Sequence, residues 1–524
     1  MKRRILSMVL TMPLSLAFLT TACSSPVASP SAPSADISPE AQRPAASPAE
    51  APPSEEAPVP VPSKPPATPP PAPNNPFSTK AAYTVAPVMP TDNVNPAETV
   101  LGLFWEILNE NLIVDSTSPA DRDGFRMVLQ HTLWWELSAD AGDSQISYSS
   151  INVSESQGYG MLMLAYMSGC EEWLNSKGYT WIYDCVSLQQ YYDAMLRTVQ
   201  RFPSSIGPNL FTWELFGYRD AQHPEGYEVE DGIKKAPFYQ DPADADSALD
   251  GDMDIIYSLL LADKQWGSDG RFNYRQIALT MLGDLWDYCV HKEYKTLLLG
   301  DWASRTRDTV LNSATRSSDF ILTHLAAYAA ADPDHDWNAV LEATCGVIAD
   351  VRDAENALGE AHQNGLLPDF IIRDAETGKW AVPAGYVLEG NDGDFSYNAC
   401  RVPWRLGAYY MLYGDIELGN GDTLYNACIA PMDTFARGWA NFGGSGSLSN
   451  FGPVDLTGSS GNYGYTEPTL FAPPFLVTAA ATGGSPEWVE LFYTGGAAEF
   501  TGDTYSDYIK LLVLLTASGN WWLP

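Results

Sequence analysis

Five runs in this 524-residue chain are apolar on nearly every side: Met161 to Met167, Met253 to Ala262, Leu406 to Tyr413, Phe471 to Ala481 and Ile509 to Ala517. A helix that is apolar all round has no face to give to water, so it belongs inside other helices. Other stretches carry a single stripe, as Leu188, Tyr191, Met195 and Val199 do at helical spacing. Alternation of fully buried with half-buried helices predicts two concentric layers. Periodicity by itself says only that the fold is large and mostly α.

The run from Met253 is preceded by Ala248-Leu249-Asp250-Gly251-Asp252 and continues through Asp254. Three carboxylates at the start of a helix suit its unpaired N–H groups and dipole. They describe either a capped core helix with solvated acids or one wall of an active site. Ser154-Glu155-Ser156-Gln157-Gly158-Tyr159-Gly160 stands in the same way before the run at Met161. A carboxyl half-sunk against aromatic and apolar neighbours has its pKa raised, which suits a general acid. The alternative is an ordinary first-turn Glu. A third stretch, Ser396-Tyr397-Asn398-Ala399-Cys400-Arg401-Val402-Pro403-Trp404-Arg405, precedes the run at Leu406.

These stretches resemble glycoside hydrolase family 8. The first is similar to its signature, Ala-Ser/Thr-Asp-Gly/Ala-Asp followed by two free positions, Ile/Met-Ala and an apolar run. Leu249 departs from Ser/Thr, and Ile256 departs from Ala. The resemblance implies an all-α fold, an (α/α) toroid of six helical hairpins. It implies that Glu155 is the proton donor, and that Asp250 binds the sugar at the point of cleavage and holds its distorted ring. The family's Tyr-Asp-Ala-x-Arg-x-Pro-Trp-Arg falls on the third stretch, with Arg401 expected to orient the neighbouring carboxylates. Its Asp, the base in the best-known branch, is replaced here by Asn398, which cannot take a proton from water. A branch rich in chitosanases has Asn there and takes its base from a loop inserted before the helix. Leu388-Glu389-Gly390 looks like that loop, so Glu389 is the expected base, with Asp392 and Asp394 in reserve. An inverting mechanism would need acid and base roughly 6.5–9.5 Å apart, with water between.

The chain has 16 Trp and 27 Tyr. Sugar C–H faces stack on rings, and Trp134, Trp135, Trp213 and Tyr397 are candidates to do so, each with core packing as the alternative. The implied enzyme is an exported, endo-acting inverting hydrolase of a β-1,4-linked polysaccharide. Chitosan is favoured, β-glucan is close behind and xylan is third. A reading from another class is a surface lipoprotein that binds glycans without cleaving them.

Net charge is −36, with acids clustered at 225–254. That argues against nucleic acid as a partner. It suits a cationic ligand, or equally the solubility of an exported chain. Lys2-Arg3-Arg4, an apolar run and Thr20-Thr21-Ala22-Cys23 form a signal peptide by pattern over 1–23. Cys23 is a candidate for lipidation, with simple cleavage and release as the alternative, so any membrane contact is expected only through this anchor. Residues 24–94, rich in Pro, Ala and Ser, are expected to be a disordered spacer. The catalytic domain is expected over 95–524, opening with Asn95 as cap and Pro96 in the first turn. Of the remaining six Cys, Cys170 and Cys185 make the shortest feasible disulfide. Neither C-x-x-C nor His-Glu-x-x-His occurs, so neither metal nor other cofactor is expected. A monomer is expected.

Overall fold

The computed structural model describes residues 82–131, 136–141, 144–388, 390–461 and 463–524. Its frame is a set of paired helices: α1 (Pro96–Glu110), α2 (Ser154–Met167), α3 (Leu188–Arg201), α4 (Leu249–Trp266), α5 (Tyr274–Cys289), α6 (Leu322–Ala331), α7 (Trp337–Leu358), α8 (Val402–Tyr413), α9 (Ala430–Trp439), α10 (Phe475–Ala481), α11 (Pro486–Phe492) and α12 (Thr504–Ala517). The even-numbered helices close a ring. α2 packs on α4, α4 on α6, α6 on α8, α8 on α10, α10 on α12, and α12 back on α2. The odd-numbered helices lie outside it. This is the expected (α/α) toroid of six hairpins.

Burial follows the sequence pattern. Every residue of α2 except Glu155 is buried, as is every residue of α4 from Leu249 to Ala262. The outer α1 buries only one stripe, Val100, Leu103, Phe104, Ile107 and Leu108. Asn95 caps α1 by accepting from the Ala97 and Glu98 amides at 3.2 and 3.5 Å. The run expected from Phe471 to Ala481 is broken. A short turn of helix, Pro468–Phe471, precedes α10, because Pro473 and Pro474 supply no amide to continue the ladder.

Strands occupy connections that lead from an outer helix to the next inner one. β1 (Leu112–Asp115), β2 (Met127–Leu129), β3 (Glu136–Ala141) and β4 (Ser144–Val153) lie between α1 and α2. β5 (Glu214–Arg219), β6 (Glu228–Glu230), β7 (Ile233–Ala236) and β8 (Phe238–Tyr239) lie between α3 and α4. They form sheets of order β2-β1-β7-β6 and β3-β4-β5-β8. β9 (Thr315–Arg316), β10 (Phe370–Arg373) and β11 (Trp380–Ala381) form a third, of order β11-β10-β9. All therefore decorate the end of the ring where inner helices begin. The Gly-rich segment 443–466 joins α9 to α10 on this same face.

Two expectations need correction. The domain does not start at 95, because residues 82–94 run across the opposite end of the ring. There the Val85 amide donates to Met411 O, the Val88 amide to Ala480 O, and the Tyr83 hydroxyl to Thr516 O, each at 2.9 Å. These are carbonyls in the last turns of α8, α10 and α12, which have no partner within their helices. The Cys170–Cys185 link is not formed. Cys170, Cys185, Cys289, Cys345, Cys400 and Cys428 are buried free thiols, packed as small apolar side chains.

Candidate active site

Two glycines bring the first two sequence stretches together. A Cβ on Gly251 would lie 2.3 Å from Ser154 Oγ, and one on Gly158 would lie 2.7 Å from Asp254 Cβ. α2 and α4 therefore cross with backbones nearly touching. Glu155 and Asp250 are each the second residue of their helix, so the crossing sets them side by side at the mouth.

Arg401 joins them. It ends the 3-10 turn Ala399–Arg401 that leads into α8. Its Nη1 donates to Glu155 Oε1 and, at 2.9 Å, to Asp250 Oδ2. Its Nε and Nη2 donate to the Asn398 carbonyl and side-chain oxygens, both at 3.3 Å. One turn along α2, the Tyr159 hydroxyl donates to Glu155 Oε1 at 2.8 Å. Asp250 Oδ1 accepts from the Gly251 amide at 3.0 Å and faces Arg316 Nη2 at 3.7 Å. Arg316 is itself held by Asp319 Oδ2 at 3.2 Å and by Leu299 O at 3.2 Å.

Sequence reasoning passed over Arg316 and Asp319. The available signal was position: they precede the inner helix α6 much as Asn398 and Arg401 precede α8. It also passed over Asp369, a buried carboxylate that accepts from the Ser396 and Ala399 amides at 3.0 and 2.7 Å and so pins the turn carrying Asn398.

The surroundings drive the acids apart. Burial, reinforced by the charge of Asp250, pushes Glu155 up to about 7 against the opposing pull of Arg401. Burial also opposes the charge on Asp250, but Arg316 and Arg401 overturn it and hold that carboxyl at about 2. Burial pushes Asp319 up to about 6 despite Arg316. Two adjacent carboxyls thus differ in state near neutral pH, which is how one site presents an acid and an anion together. The Glu155 side chain keeps 17% of its surface open to solvent, enough to meet a ligand.

The other two signature acids turn inward. Asp252 is buried and accepts from the Phe211 amide at 2.9 Å, with burial raising its pKa far above the carboxylate range. Asp254 is bound by both Nη atoms of Arg405, at 3.1 and 2.6 Å, and by His324 Nε2 at 2.8 Å. Burial lowers His324 to about 4, so the pair at the ring's core is Arg405 with Asp254.

Asn398 donates to Asp369 Oδ2 at 3.4 Å. Asp392 is buried and accepts from the Val387 and Leu388 amides. Asp394 accepts from the Tyr463 hydroxyl at 3.0 Å. Both reserve carboxylates therefore tie down the segment before α8. Tyr397 is 37% exposed, and its hydroxyl donates to Glu467 Oε2 at 2.6 Å. Trp213 is half-buried beside the acid: its carbonyl accepts the Ser154 amide at 2.7 Å, and its own amide donates to Asp246 O at 2.8 Å. Glu389, Trp134, Trp135 and Cys23 lie outside the described residues. Among those residues, no group of His, Cys, Asp and Glu is arranged to hold a metal ion.

A partly open neutral carboxyl beside a carboxylate fixed by two guanidiniums can protonate a departing oxygen while the anion holds hydroxyls of the same ligand. The model of glycosyl hydrolases family 8 matches residues 232–436, which include Asp250, Asn398 and Arg401. A beta-glucanase of Niallia circulans is 32% identical over 460 residues, covering 86% of this chain and 92% of that protein. An endoglucanase of a Bacillus species, strain KSM-330, is 27% identical over 72% of this chain and 69% of its own length. Among solved structures, the apo beta-1,3-1,4-glucanase of Paenibacillus sp. X4 is similar with TM-score 0.66 and 29% identity, over 86% of this chain and all of that one. A cold-adapted family 8 xylanase, at 14% identity and TM-score 0.55 over 83% of this chain and 97% of its own, shares the fold. The relatedness along nearly the full length of the first of these, together with the closed helical ring, makes this chain a glycosidase and a member of glycoside hydrolase family 8.

Proposed function

We propose that the protein is an endo-acting, inverting hydrolase of β-1,4-linked glucan chains, mixed-linkage β-glucan foremost. The observation that carries the reading is the cluster at the mouth, where Arg401 Nη1 bridges Glu155 and Asp250 and Arg316 faces Asp250 from the other side. Glu155 delivers its proton to the departing glycosidic oxygen. Asp250, fixed by Arg401 and Arg316, binds the sugar at the bond to be broken and favours the positive charge that develops on its ring. Glu389 takes a proton from water on the opposite ring face. Asp392 and Asp394 are each already engaged as acceptors, Asp392 with backbone amides and Asp394 with a tyrosine hydroxyl, which favours the loop glutamate over either.

The glucan preference is supported by the relatives, a beta-glucanase and a beta-1,3-1,4-glucanase. Chitosan is the second substrate, favoured by Asn398 in the third stretch and by a net charge of −36, since an acidic cleft concentrates a cationic polymer. The enzyme acts outside the cell, on a Pro-rich tether from Cys23.

The test is release of reducing ends from mixed-linkage β-glucan, carboxymethyl cellulose, chitosan and xylan, with the product anomer followed by NMR. Fastest turnover of mixed-linkage glucan with inversion is expected. Cleavage of xylan alone, or retention at the anomeric centre, would overturn the reading. Glu389→Gln is expected to silence the enzyme and Asp392→Asn to leave the chemistry in place, and the reverse pattern would move the base.

A further inference from the structure

We infer that Asp369 is a positioning residue for the reaction: its buried carboxylate fixes the side-chain amide of Asn398, and through it the bridging guanidinium of Arg401, and so requires an amide rather than a carboxylate at position 398. The inference rests on the roles proposed above for Glu155 and Asp250.

Asp369 stands between the two turns that supply the guanidiniums of the site. Its side chain serves the turn before α8. Oδ1 accepts the Ser396 and Ala399 amides at 3.0 and 2.7 Å, and Oδ2 accepts Asn398 Nδ2 at 3.4 Å. Its backbone serves the turn before α6. The Asp369 carbonyl accepts the Ser317 amide at 3.2 Å, and the Pro368 carbonyl accepts the Ser317 hydroxyl at 2.6 Å. Phe370, the next residue, pairs with Arg316 across β9 and β10. One short segment thus ties Arg316 and Arg401 to a common support.

The Asn398 side chain lies between an acceptor and a donor. An amide offers N–H at one end and a carbonyl oxygen at the other. With Nδ2 on Asp369, Oδ1 is turned to Arg401, where it accepts from Nη2 at 3.3 Å, beside the bond from Nε to the Asn398 carbonyl at 3.3 Å. These two contacts use one edge of the guanidinium and leave Nη1 to bridge Glu155 and Asp250. A carboxylate at 398 would keep the contact with Arg401 but turn a second anionic oxygen on Asp369, in a buried place. Two carboxyls that close do not both ionise. Arg401, already facing Glu155 and Asp250, would have a third carboxyl to neutralise. An Asp at 398 and an ionised Asp369 are therefore incompatible, and Asn398 removes the conflict.

A double-variant cycle tests this. Asp369→Asn sets two amide donors against each other, and Asn398→Asp sets two carboxyls against each other. Asp369→Asn/Asn398→Asp exchanges donor and acceptor and restores the bond. In each single variant kcat on mixed-linkage β-glucan, measured well below the melting transition, should fall about 10- to 100-fold, as when a reacting group is displaced by about 1 Å. The double variant should regain most of the loss in kcat and in melting temperature together. Recovery of either one without the other would overturn the inference, as would losses that multiply in the double variant. A lowered melting temperature with unchanged kcat in the single variants would make Asp369 a residue of the fold only. If Asp369→Asn does not fold, Asn398→Asp must still lose kcat at pH 7, and wild-type turnover there would overturn the inference. A wild-type enzyme inert toward β-glucan and chitosan would overturn the roles of Glu155 and Asp250 with it, whereas an active wild type with multiplying losses overturns this inference alone.

Discussion

Glu155 keeps its proton toward neutral pH because of its position: a carboxyl on an otherwise buried helix, flanked by Asp250, can ionise only against desolvation and like charge. Glu155→Gln should therefore lose about 10²–10⁴-fold in kcat or more, with polymer binding retained, because the amide keeps the shape without a proton to give. The sign of the pH dependence follows. The proposed donor must be protonated, so kcat/KM should fall as pH rises through about 7. Arg316 lowers both Glu155 and Asp250, so Arg316→Gln should move that alkaline limb to higher pH; a pH–rate profile showing no shift would remove Arg316 from the electrostatics of the site. Glu155, Asp250 and Arg401 stood out in the sequence through the resemblance of their stretches to the family's, and the structure brings the three together. Arg316 and Asp319 did not stand out. Their neighbours form no comparable run, and only the closing of the ring brings Thr315–Asp319 against α4 and the turn before α8.

At the scale of elements, the α2–α4 crossing determines the spacing of the two carboxyls. Gly158→Ala would place a methyl 2.7 Å from Asp254 Cβ and 3.0 Å from Gly251 O. Neither obstacle is the end of a flexible side chain, so the helices must move apart. Overpacking of this kind costs about 1–3 kcal/mol. The expected outcome is a lowered melting temperature together with a fall in kcat larger than in a surface control, since separation of α2 from α4 also separates Glu155 from Asp250. Equal melting and activity to wild type would mean the crossing tolerates a wider spacing. The inner helices could be read from apolar runs because burial on all sides leaves an unmistakable composition. The strands could not. Most are two to six residues long, too short for alternation to show, and their pairing joins connections distant in sequence, as β1 does with β7.

The whole molecule is closed at two ends by different means. Sheets and loops build the mouth, while the far end is covered by residues 82–94 and the C-terminal segment. Composition assigned 82–94 to the spacer, since Pro, Ala and Thr carry no periodicity there. What orders them is tertiary: inner helices end with carbonyls that no amide of the same helix reaches, and an extended strand can supply amides and hydroxyls to them. Thr84 Oγ1 donates to Leu412 O at 2.9 Å beside the bonds from Val85, Val88 and Tyr83, and the Trp521 amide returns a bond to the Tyr83 hydroxyl at 3.1 Å. Thr91 Oγ1 reaches Glu490 near the end of α11. Two truncations separate the spacer from the strap. Removal of 24–81 should leave the melting temperature unchanged, as that composition cannot offset its chain entropy by burial. Removal of 24–94 strips the donors from three carbonyls, Met411 O, Leu412 O and Ala480 O, each worth about 0.5–1.5 kcal/mol, while Thr516 O keeps the Gly519 amide at 3.2 Å, and should lower stability by roughly 1.5–4.5 kcal/mol in denaturant unfolding. The longer deletion should also loosen the floor without touching the mouth, so kcat measured well below the transition should remain near wild type. Equal stability of the two truncations would mean that water satisfies those carbonyls as well as the strap does.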